Sequence, residues 1–139
     1  AAHEIERAQI EPRLLLDDGV ERIWCDATQM KQVLVNLILN AAQAMPNGGT
    51  LSIRIFRNGS SGSDLKIAVS DTGTGIDPAH VSRVFDPFFT TRDEGTGLGL
   101  AIVHAIVEGH RGRVEVESML GHGTTFTIIL PGGPQTSAC

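Results

Sequence analysis

Residues 27–45 read ATQMKQVLVNLILNAAQAM, and this stretch sets the architecture of the chain. Asp26 stands where the N-cap of a helix belongs, and Gln29 follows three residues later, as in a capping box. Pro46 ends the pattern. The apolar residues recur at the i, i+3, i+4, i+7 spacing of an amphipathic helix with one buried face: Met30, Val33, Leu34, Leu37, Ile38, Ala41, Ala42 and Met45.

Strands are predicted on both sides of this helix. Residues 9–16 (QIEPRLLL) form one strand before it, and residues 50–57 (TLSIRIFR) alternate apolar and polar side chains as a half-buried strand does. A Gly- and Ser-rich turn at 58–63 leads into a further strand at 65–70. We expect the last two strands to pair as an antiparallel hairpin.

The second half of the chain continues with helices and strands. A short helix is predicted for 78–84, a loop for 86–99, a helix for 100–108, and closing strands for 113–118 and 124–130. The order β, α, β, β, α, loop, α, β, β lacks the strict alternation of a doubly wound fold. We therefore expect an α+β fold with a mixed, mostly antiparallel sheet of about five strands and three helices on one face.

Composition limits the classes of function. The 139 residues suit one domain, with 41% hydrophobic and 19% charged residues. A formal net charge of −5 argues against a nucleic-acid-binding surface, and no run of like charges suggests contact with a membrane. The apolar stretches are too short to span a bilayer. Cys25 and Cys139 offer neither a disulfide framework nor zinc spacing, so we expect a cytoplasmic protein.

A glycine-rich loop, G-T-G-L-G at 95–99, precedes the second long helix. Such loops bring backbone close to a phosphate. The spacing is not the G-x-G-x-x-G of a dinucleotide fold, and Leu100-Ala101 follows where a P-loop requires Lys and then Ser or Thr. A protein-kinase glycine loop would lie between two strands. Taken alone, the segment indicates a flexible turn before a helix.

A second loop, D-T-G-T-G at 71–75, also permits more than one interpretation. Asp-Thr-Gly is typical of aspartic proteases, but one copy would require a symmetric dimer. A calcium loop is excluded because glycines stand at the ligand positions. Taken alone, Asp71 as the cap of a turn remains possible. Asn36 and Asn40 lie one turn apart on an apolar helix, and two amides at this spacing favour a ligand site over satisfied core amides.

Five segments occur together in one order, and their combination is specific: NLILNAAQAM at 36–45, DTGTG at 71–75, FDPFFTT at 85–91, GTGLGLAI at 95–102 and GHGTTF at 121–126. They resemble the N, G1, F, G2 and G3 boxes of the catalytic, ATP-binding domain of two-component sensor histidine kinases. That domain belongs to the Bergerat-fold ATPase superfamily, with gyrase, MutL and the Hsp-type chaperones. The resemblance covers about residues 10–131 and most closely fits the short-lid, nitrogen-sensor-like branch.

The resemblance implies a division of the chain and a fold. Residues 1–8 would be a linker from a domain outside this sequence, and 9–131 the catalytic domain, with an ATP lid at 86–97. Residues 132–139 would be a disordered tail. The implied fold is a two-layer α/β sandwich. Because the sequence lacks an initiating Met, we expect it to be a piece of a longer protein.

The resemblance also implies a nucleotide site. Asp71 would accept a hydrogen bond from the adenine amino group, Gly73 and Gly75 would bring backbone close to the purine, Ile76 would lie on its apolar face, and Thr124 would support it through its hydroxyl. Asn40 would bind Mg²⁺, and Asn36, Asn40 and Arg92 would be the catalytic residues. Arg92 stands at the position of a phosphate-binding Lys. Further nucleotide-binding positions implied are Gln43, Ala44, Phe89, Thr90, Thr91, Gly95, Thr96, Gly97, Leu98, Gly99 and Leu100.

Position 36 bears on the reaction that the resemblance implies. Hydrolytic members carry Glu there as a general base, and Asn36 cannot abstract a proton. The expected reaction is transfer of the γ-phosphate to a His on a separate dimerisation hairpin, with a response regulator downstream and a monomeric isolated domain. Two alternatives stay open: a nucleotide-binding interaction module without transfer activity, and a serine kinase like the anti-sigma factors.

Overall fold

The computed structural model describes residues 10–16, 27–57, 64–87 and 98–131, with only the backbone for 10–16. Within these ranges the elements are five strands, two α-helices and one 3-10 turn: β1 (Ile10–Leu16), α1 (Ala27–Ala44), β2 (Gly49–Arg57), β3 (Leu65–Asp71), the 3-10 turn (Val81–Arg83), α2 (Gly99–Gly109), β4 (Arg113–Met119) and β5 (Gly123–Leu130).

The strands form one five-stranded sheet in the order β1-β2-β3-β5-β4. β1 runs parallel to β2, and the other three pairings are antiparallel. The predicted hairpin is confirmed, because β2 and β3 pair from Leu51 with Asp71 to Arg57 with Leu65. The predicted mixed, mostly antiparallel sheet is therefore correct.

Both helices cover the same face of this sheet. Alternate residues of β3 (Leu65, Ile67 and Val69) and of β5 (Phe126, Ile128 and Leu130) are buried in one cluster with Val33 and Leu37 of α1 and Val103 and Val107 of α2. Because successive strand residues point to opposite faces, this period of two places the core on one side. The predicted two-layer α+β arrangement is confirmed.

The helix predicted for 78–84 is wrong in kind. Within residues 64–87 only Val81–Arg83 is helical, as a 3-10 turn, so the part of the chain described here holds two α-helices rather than three. Asp77 accepts the N–H of Ala79 with its Oδ1 at 2.9 Å, and the N–H of His80 bonds back to the Asp77 carbonyl at 2.8 Å. These local bonds close tight turns, and the segment is too short to offset the cost of nucleating an α-helix.

The strand predicted for 65–70 extends one residue further, so that Asp71, predicted to open the loop at 71–75, still belongs to the strand. It is the last residue of β3 and pairs with Leu51 on one side and Thr124 on the other. The predicted cap Asp26, the linker 1–8 and the tail 132–139 lie outside the described residues, as do 88–97 of the lid. Neither of the helices described in the fold has both the length and the apolar character needed to cross a bilayer.

Candidate functional site

The end of β3 places two polar side chains next to each other inside the protein. Asp71 is 7% exposed and Thr124 on β5 is 5% exposed. They are direct partners across antiparallel strands, so their Cβ atoms lie about 5 Å apart on the same face of the sheet. Oδ1 of Asp71 accepts the N–H of Gly73 at 2.9 Å. The loop that follows the strand therefore fixes the orientation of the carboxylate.

That loop is held between α1 and the turn that joins β4 to β5. A Cβ atom on Gly73 would lie 2.2 Å from the carbonyl oxygen of Ala44, which also accepts the N–H of Thr74 at 3.0 Å. Gly75 has a φ of +76°, and a Cβ there would lie 2.3 Å from the carbonyl oxygen of Met119. Only glycine fits both positions, so the backbone of this loop is closely packed on two sides.

An open cleft of about 290 Å³ lies beside the loop. Thr72 contributes to it and holds the neighbouring strand by accepting the N–H of Thr50 at 3.0 Å. The predicted residue Gln43 is exposed, whereas Ala44 and Gly73 line this cleft. The full lining is Ala44, Met45, Pro46, Asn47, Gly48, Thr72, Gly73, Thr74 and Gly121.

The start of α2 meets the middle of α1. Nδ2 of Asn36 donates to the carbonyl oxygen of Gly99 at 3.4 Å, and Nε2 of Gln32 donates to Oδ1 of Asn36 at 3.3 Å. Leu98, the N-cap residue of α2, has a side chain that cannot accept a hydrogen bond. The first N–H groups of a helix have no partner within the helix and attract anions. Asn36 is thus placed beside a helix N-terminus suited to phosphate.

The structure brings two groups of predicted residues to α1. One group, at its C-terminal end, consists of Ala44, Asp71, Gly73, Gly75, Ile76 and Thr124. The other, around the start of α2, consists of Asn36, Leu98, Gly99 and Leu100, with the half-buried Asn40 one turn farther along α1. The lid positions Phe89, Thr90, Thr91, Arg92, Gly95, Thr96 and Gly97 lie outside the described residues and stay predictions.

The base of the predicted lid is anchored by an aromatic contact. Phe85 lies 5.4 Å from the ring of His104 on α2 and 6.0 Å, edge on, from the ring of Phe126 in β5. Such ring separations are typical of stabilising aromatic pairs. The segment predicted to be the lid therefore follows a residue that is packed between α2 and the sheet.

Ser118 on β4 belongs to the site but was not among the predicted residues. Its Oγ accepts the N–H of Ile76 at 2.7 Å, donates to the carbonyl oxygen of Gly123 at 3.0 Å, and lies 2.8 Å from Oγ1 of Thr124. One signal could have identified it. Val114, Val116 and Ser118 occupy successive inward positions of β4, and a serine where an apolar residue belongs indicates a polar task.

Comparison with known families places the chain clearly. Residues 25–134 match the family described as histidine kinase-, DNA gyrase B-, and HSP90-like ATPases. The chain is 45% identical over 123 residues to the sensor histidine kinase ZraS of Escherichia coli K12, covering 88% of this chain and 26% of that protein. It is 43% identical over 120 residues to the histidine-protein kinase AtoS of the same organism, covering 86% of this chain and 19% of AtoS. The chain thus spans about a quarter or less of these relatives.

Solved structures agree with the sequence relatives. The catalytic domain of the histidine kinase ThkA superposes with a TM-score of 0.79 at 31% identity, covering 94% of this chain and 84% of that one. The mycobacterial sensor histidine kinase MprB gives a TM-score of 0.75 at 28% identity, covering 96% and 95%. Full-length ShkA in complex with AMPPNP gives 0.82 at 28% identity, covering 96% of this chain and 28% of ShkA. Together with the matched family model, these likenesses show that the chain belongs to the histidine kinase-, DNA gyrase B- and HSP90-like ATPases.

Proposed function

We propose that this chain is the ATP-binding catalytic domain of a sensor histidine kinase, which binds Mg·ATP and transfers the γ-phosphate to a histidine on a separate domain. The observation that carries the proposal is the buried pair Asp71–Thr124 beside a loop in which Gly73 and Gly75 leave no room for a Cβ atom. This combines a base-reading acceptor with closely packed backbone. The relatives named as histidine kinases support the same reaction.

The adenine end of the proposed site follows from hydrogen-bond chemistry. A carboxylate only accepts hydrogen bonds, and the exocyclic amine of adenine only donates them. Asp71 is held in one orientation by the N–H of Gly73, so its remaining acceptor capacity has a fixed direction. Ile76, half-buried and packed against the core, offers the apolar surface that a purine ring needs.

The phosphate end of the proposed site needs positive potential, which this acidic chain does not provide through a basic surface. Its formal net charge is −5. The N-terminus of α2 supplies oriented N–H groups at Gly99 and Leu100, where negative charge is favoured. In the proposal Arg92 of the lid adds a cation at the β- or γ-phosphate. Arg keeps the charge of the Lys usual there but offers a planar fork instead of a point charge.

A magnesium ion fits the residues at this end. The described residues contain no cluster of three His, Cys, Asp or Glu side chains. Mg²⁺ prefers oxygen ligands and keeps most of its water and phosphate partners, so a single amide oxygen suffices from the protein. Asn40 is the proposed ligand, one turn from Asn36 on α1. When bound, the ion would neutralise charge on the triphosphate and orient it.

The chain's own residues favour transfer over hydrolysis. An amide cannot act as a general base, and position 36 holds Asn. Phosphoryl transfer depends mainly on positioning and charge stabilisation, which Asn36 and the α2 amides can provide. We place the acceptor His on a helical dimerisation domain of the full protein, with a response regulator downstream. The isolated domain is expected to be a monomer that works in the cytoplasm.

Ligand-induced stabilisation tests nucleotide binding. A ligand that binds only the native state raises the free energy of unfolding by about 2.7 kcal/mol at a hundred times its Kd. Mg·ATP and a non-hydrolysable adenine analogue should both raise the melting temperature, whereas Mg·GTP should raise it much less. Absence of a shift with either adenine nucleotide would overturn the proposal.

A transfer assay separates a kinase from a nucleotide-binding module. The chain is incubated with γ-labelled Mg·ATP and a separately produced dimerisation hairpin that carries the acceptor histidine. Acid-labile label on the hairpin, lost when its histidine is replaced by alanine, supports the kinase. Binding of ATP without label on the hairpin would favour the interaction module.

A further inference from the structure

Ser118 joins three parts of the site through one hydroxyl group. It accepts from the N–H of Ile76 at 2.7 Å, donates to the carbonyl oxygen of Gly123 at 3.0 Å, and contacts Oγ1 of Thr124 at 2.8 Å. Ile76 lies in the segment between β3 and the 3-10 turn, and Gly123 begins β5. The serine therefore connects the loop, the β4–β5 turn and the partner of Asp71.

Counting hydrogens fixes the direction of the contact between the two hydroxyls. A serine hydroxyl has one hydrogen and two lone pairs. A carbonyl oxygen only accepts, so the hydrogen of Ser118 goes to Gly123. The N–H of Ile76 occupies one lone pair, and the second is available for Thr124. Thr124 must then be the donor in the contact at 2.8 Å.

The consequence concerns what Thr124 can offer to a ligand. Its single hydrogen is committed to Ser118, so only its lone pairs remain. Asp71, its direct partner across the sheet, is a carboxylate and also accepts only. The two buried side chains therefore present acceptors to the same space, and a ligand group placed there must donate.

We infer that Ser118 is a positioning residue that selects 6-amino over 6-oxo purine nucleotides by holding Thr124 as an acceptor. The inference rests on the proposed nucleotide-binding function. It adds Ser118 to the residues that recognise the base and gives a physical reason for the preference. A 6-amino group carries two hydrogen-bond donors. A 6-oxo group is an acceptor, so its oxygen would face the lone pairs of Thr124 without a hydrogen between them.

The test compares ATP with inosine triphosphate, which differs only in bearing 6-oxo with N1–H in place of the 6-amino group. Dissociation constants for both Mg·nucleotides are measured by calorimetry. The intact chain should bind ATP at least about tenfold more tightly, because an unpaired buried polar group is costly. In Ser118→Ala the Thr124 hydroxyl can rotate and donate to a 6-oxo group, so the ratio of the two affinities should fall about three- to tenfold.

Two further variants isolate the hydroxyl from packing. Ser118→Thr and Ser118→Val have nearly the same shape, and both suit a strand. Thr should keep the ratio within about twofold of the intact chain, and Val should lower it as Ala does. Ser70→Ala is the matched control, because it too removes one contact between two hydroxyl groups. Ser70 on β3 contacts Thr125 on β5 at 2.9 Å, on the face of the sheet opposite to Asp71 and Thr124. The ratio should not change in this control.

The outcomes are separable. If the intact chain does not bind Mg·ATP, the proposed function fails. If it binds ATP but not in preference to inosine triphosphate, or if Ser118→Ala and Ser118→Val weaken both nucleotides equally, only the role of Ser118 in selection is overturned. Failure of both hydroxyl-free variants to fold would assign Ser118 to stability and would also overturn it.

Discussion

Asp71 shows how one side chain serves both the fold and the candidate site. Its Oδ1 accepts the N–H of Gly73 at 2.9 Å, and this bond shapes the loop that packs against Ala44. The same carboxylate is buried beside Thr124. An amide in its place keeps one oxygen for the loop but replaces the other with a donor, so the two tasks can be separated.

Asp71→Asn should weaken binding of Mg·ATP by at least about tenfold while shifting the melting temperature of the free chain only slightly, because the donor now faces the donating amine of adenine. Titration calorimetry and thermal unfolding give the two quantities. Asp77→Asn is the control: Asp77 makes the same kind of bond, to the N–H of Ala79 at 2.9 Å, in an exposed loop. Equal affinity in both variants would show that Asp71 does not read the base.

Gly75 and Gly121 have similar φ angles, but only Gly75 lacks room for a Cβ atom. Their φ angles are +76° and +79°, but a Cβ on Gly75 would meet the Met119 carbonyl at 2.3 Å, whereas one on Gly121 meets nothing within 4 Å. Gly121→Ala should cost about 1–2 kcal/mol of unfolding free energy from the left-handed backbone alone. Gly75→Ala should cost about 1–3 kcal/mol more through the clash. Urea denaturation measures both, and similar losses would contradict the close contact.

At the scale of elements, α2 ends with a non-glycine residue in the left-handed conformation. The N–H of Gly112 bonds to the Val107 carbonyl at 3.0 Å, and that of Arg111 to the Glu108 carbonyl at 2.9 Å. This is the pair of bonds of a Schellman motif, in which the left-handed residue is normally glycine. Here it is Arg111, with a φ of +61°. The helix end therefore carries strain at a non-glycine residue.

Arg111→Gly should raise the free energy of unfolding by about 1 kcal/mol, because it removes this strain. Arg111→Ala is the control. Alanine keeps a Cβ atom in the left-handed region, so the exposed side chain is lost without relief of the backbone. Chemical denaturation of both variants separates the two contributions. A gain as large in the alanine variant as in the glycine variant would assign the effect to the arginine side chain instead.

Long elements with one buried face follow from the sequence pattern, whereas short turns do not. The helical spacing of apolar residues in α1 and the alternation of apolar and polar residues in β2 and β3 predict these elements, because each element turns one face toward the core along its length. The helix predicted for 78–84 is wrong, because Pro78 stands where a helix often begins although no α-helix follows. Local hydrogen bonds to Asp77 determine the conformation of this segment, and hydrophobic periodicity does not predict such bonds.

At the scale of the whole molecule, charge predicts how binding responds to salt. The chain has a formal net charge of −5, and in the proposal the triphosphate is held by helix-terminal N–H groups and a metal ion at short range. Short-range contacts are screened little. The Kd for Mg·ATP should therefore change less than about threefold between roughly 0.05 and 0.3 M NaCl. A tenfold loss, measured by calorimetry, would show that cationic side chains such as Arg92 dominate instead.

Sequence patterns alone predicted the family and, apart from the 3-10 turn at Val81–Arg83, the described elements and their order, because hydrophobic periodicity and glycine-rich segments are local in the chain. The resemblance to known sequence boxes also predicted Asp71, Thr124, Gly73, Gly75 and Asn36 as site residues, and these assignments remain predictions. The three-dimensional structure was needed to show that Asp71 lies directly opposite Thr124, that Asn36 contacts Gly99, and that Ser118 bonds to Ile76 and contacts Thr124. Strand register and helix packing bring together residues far apart in sequence, and no local pattern records those distances.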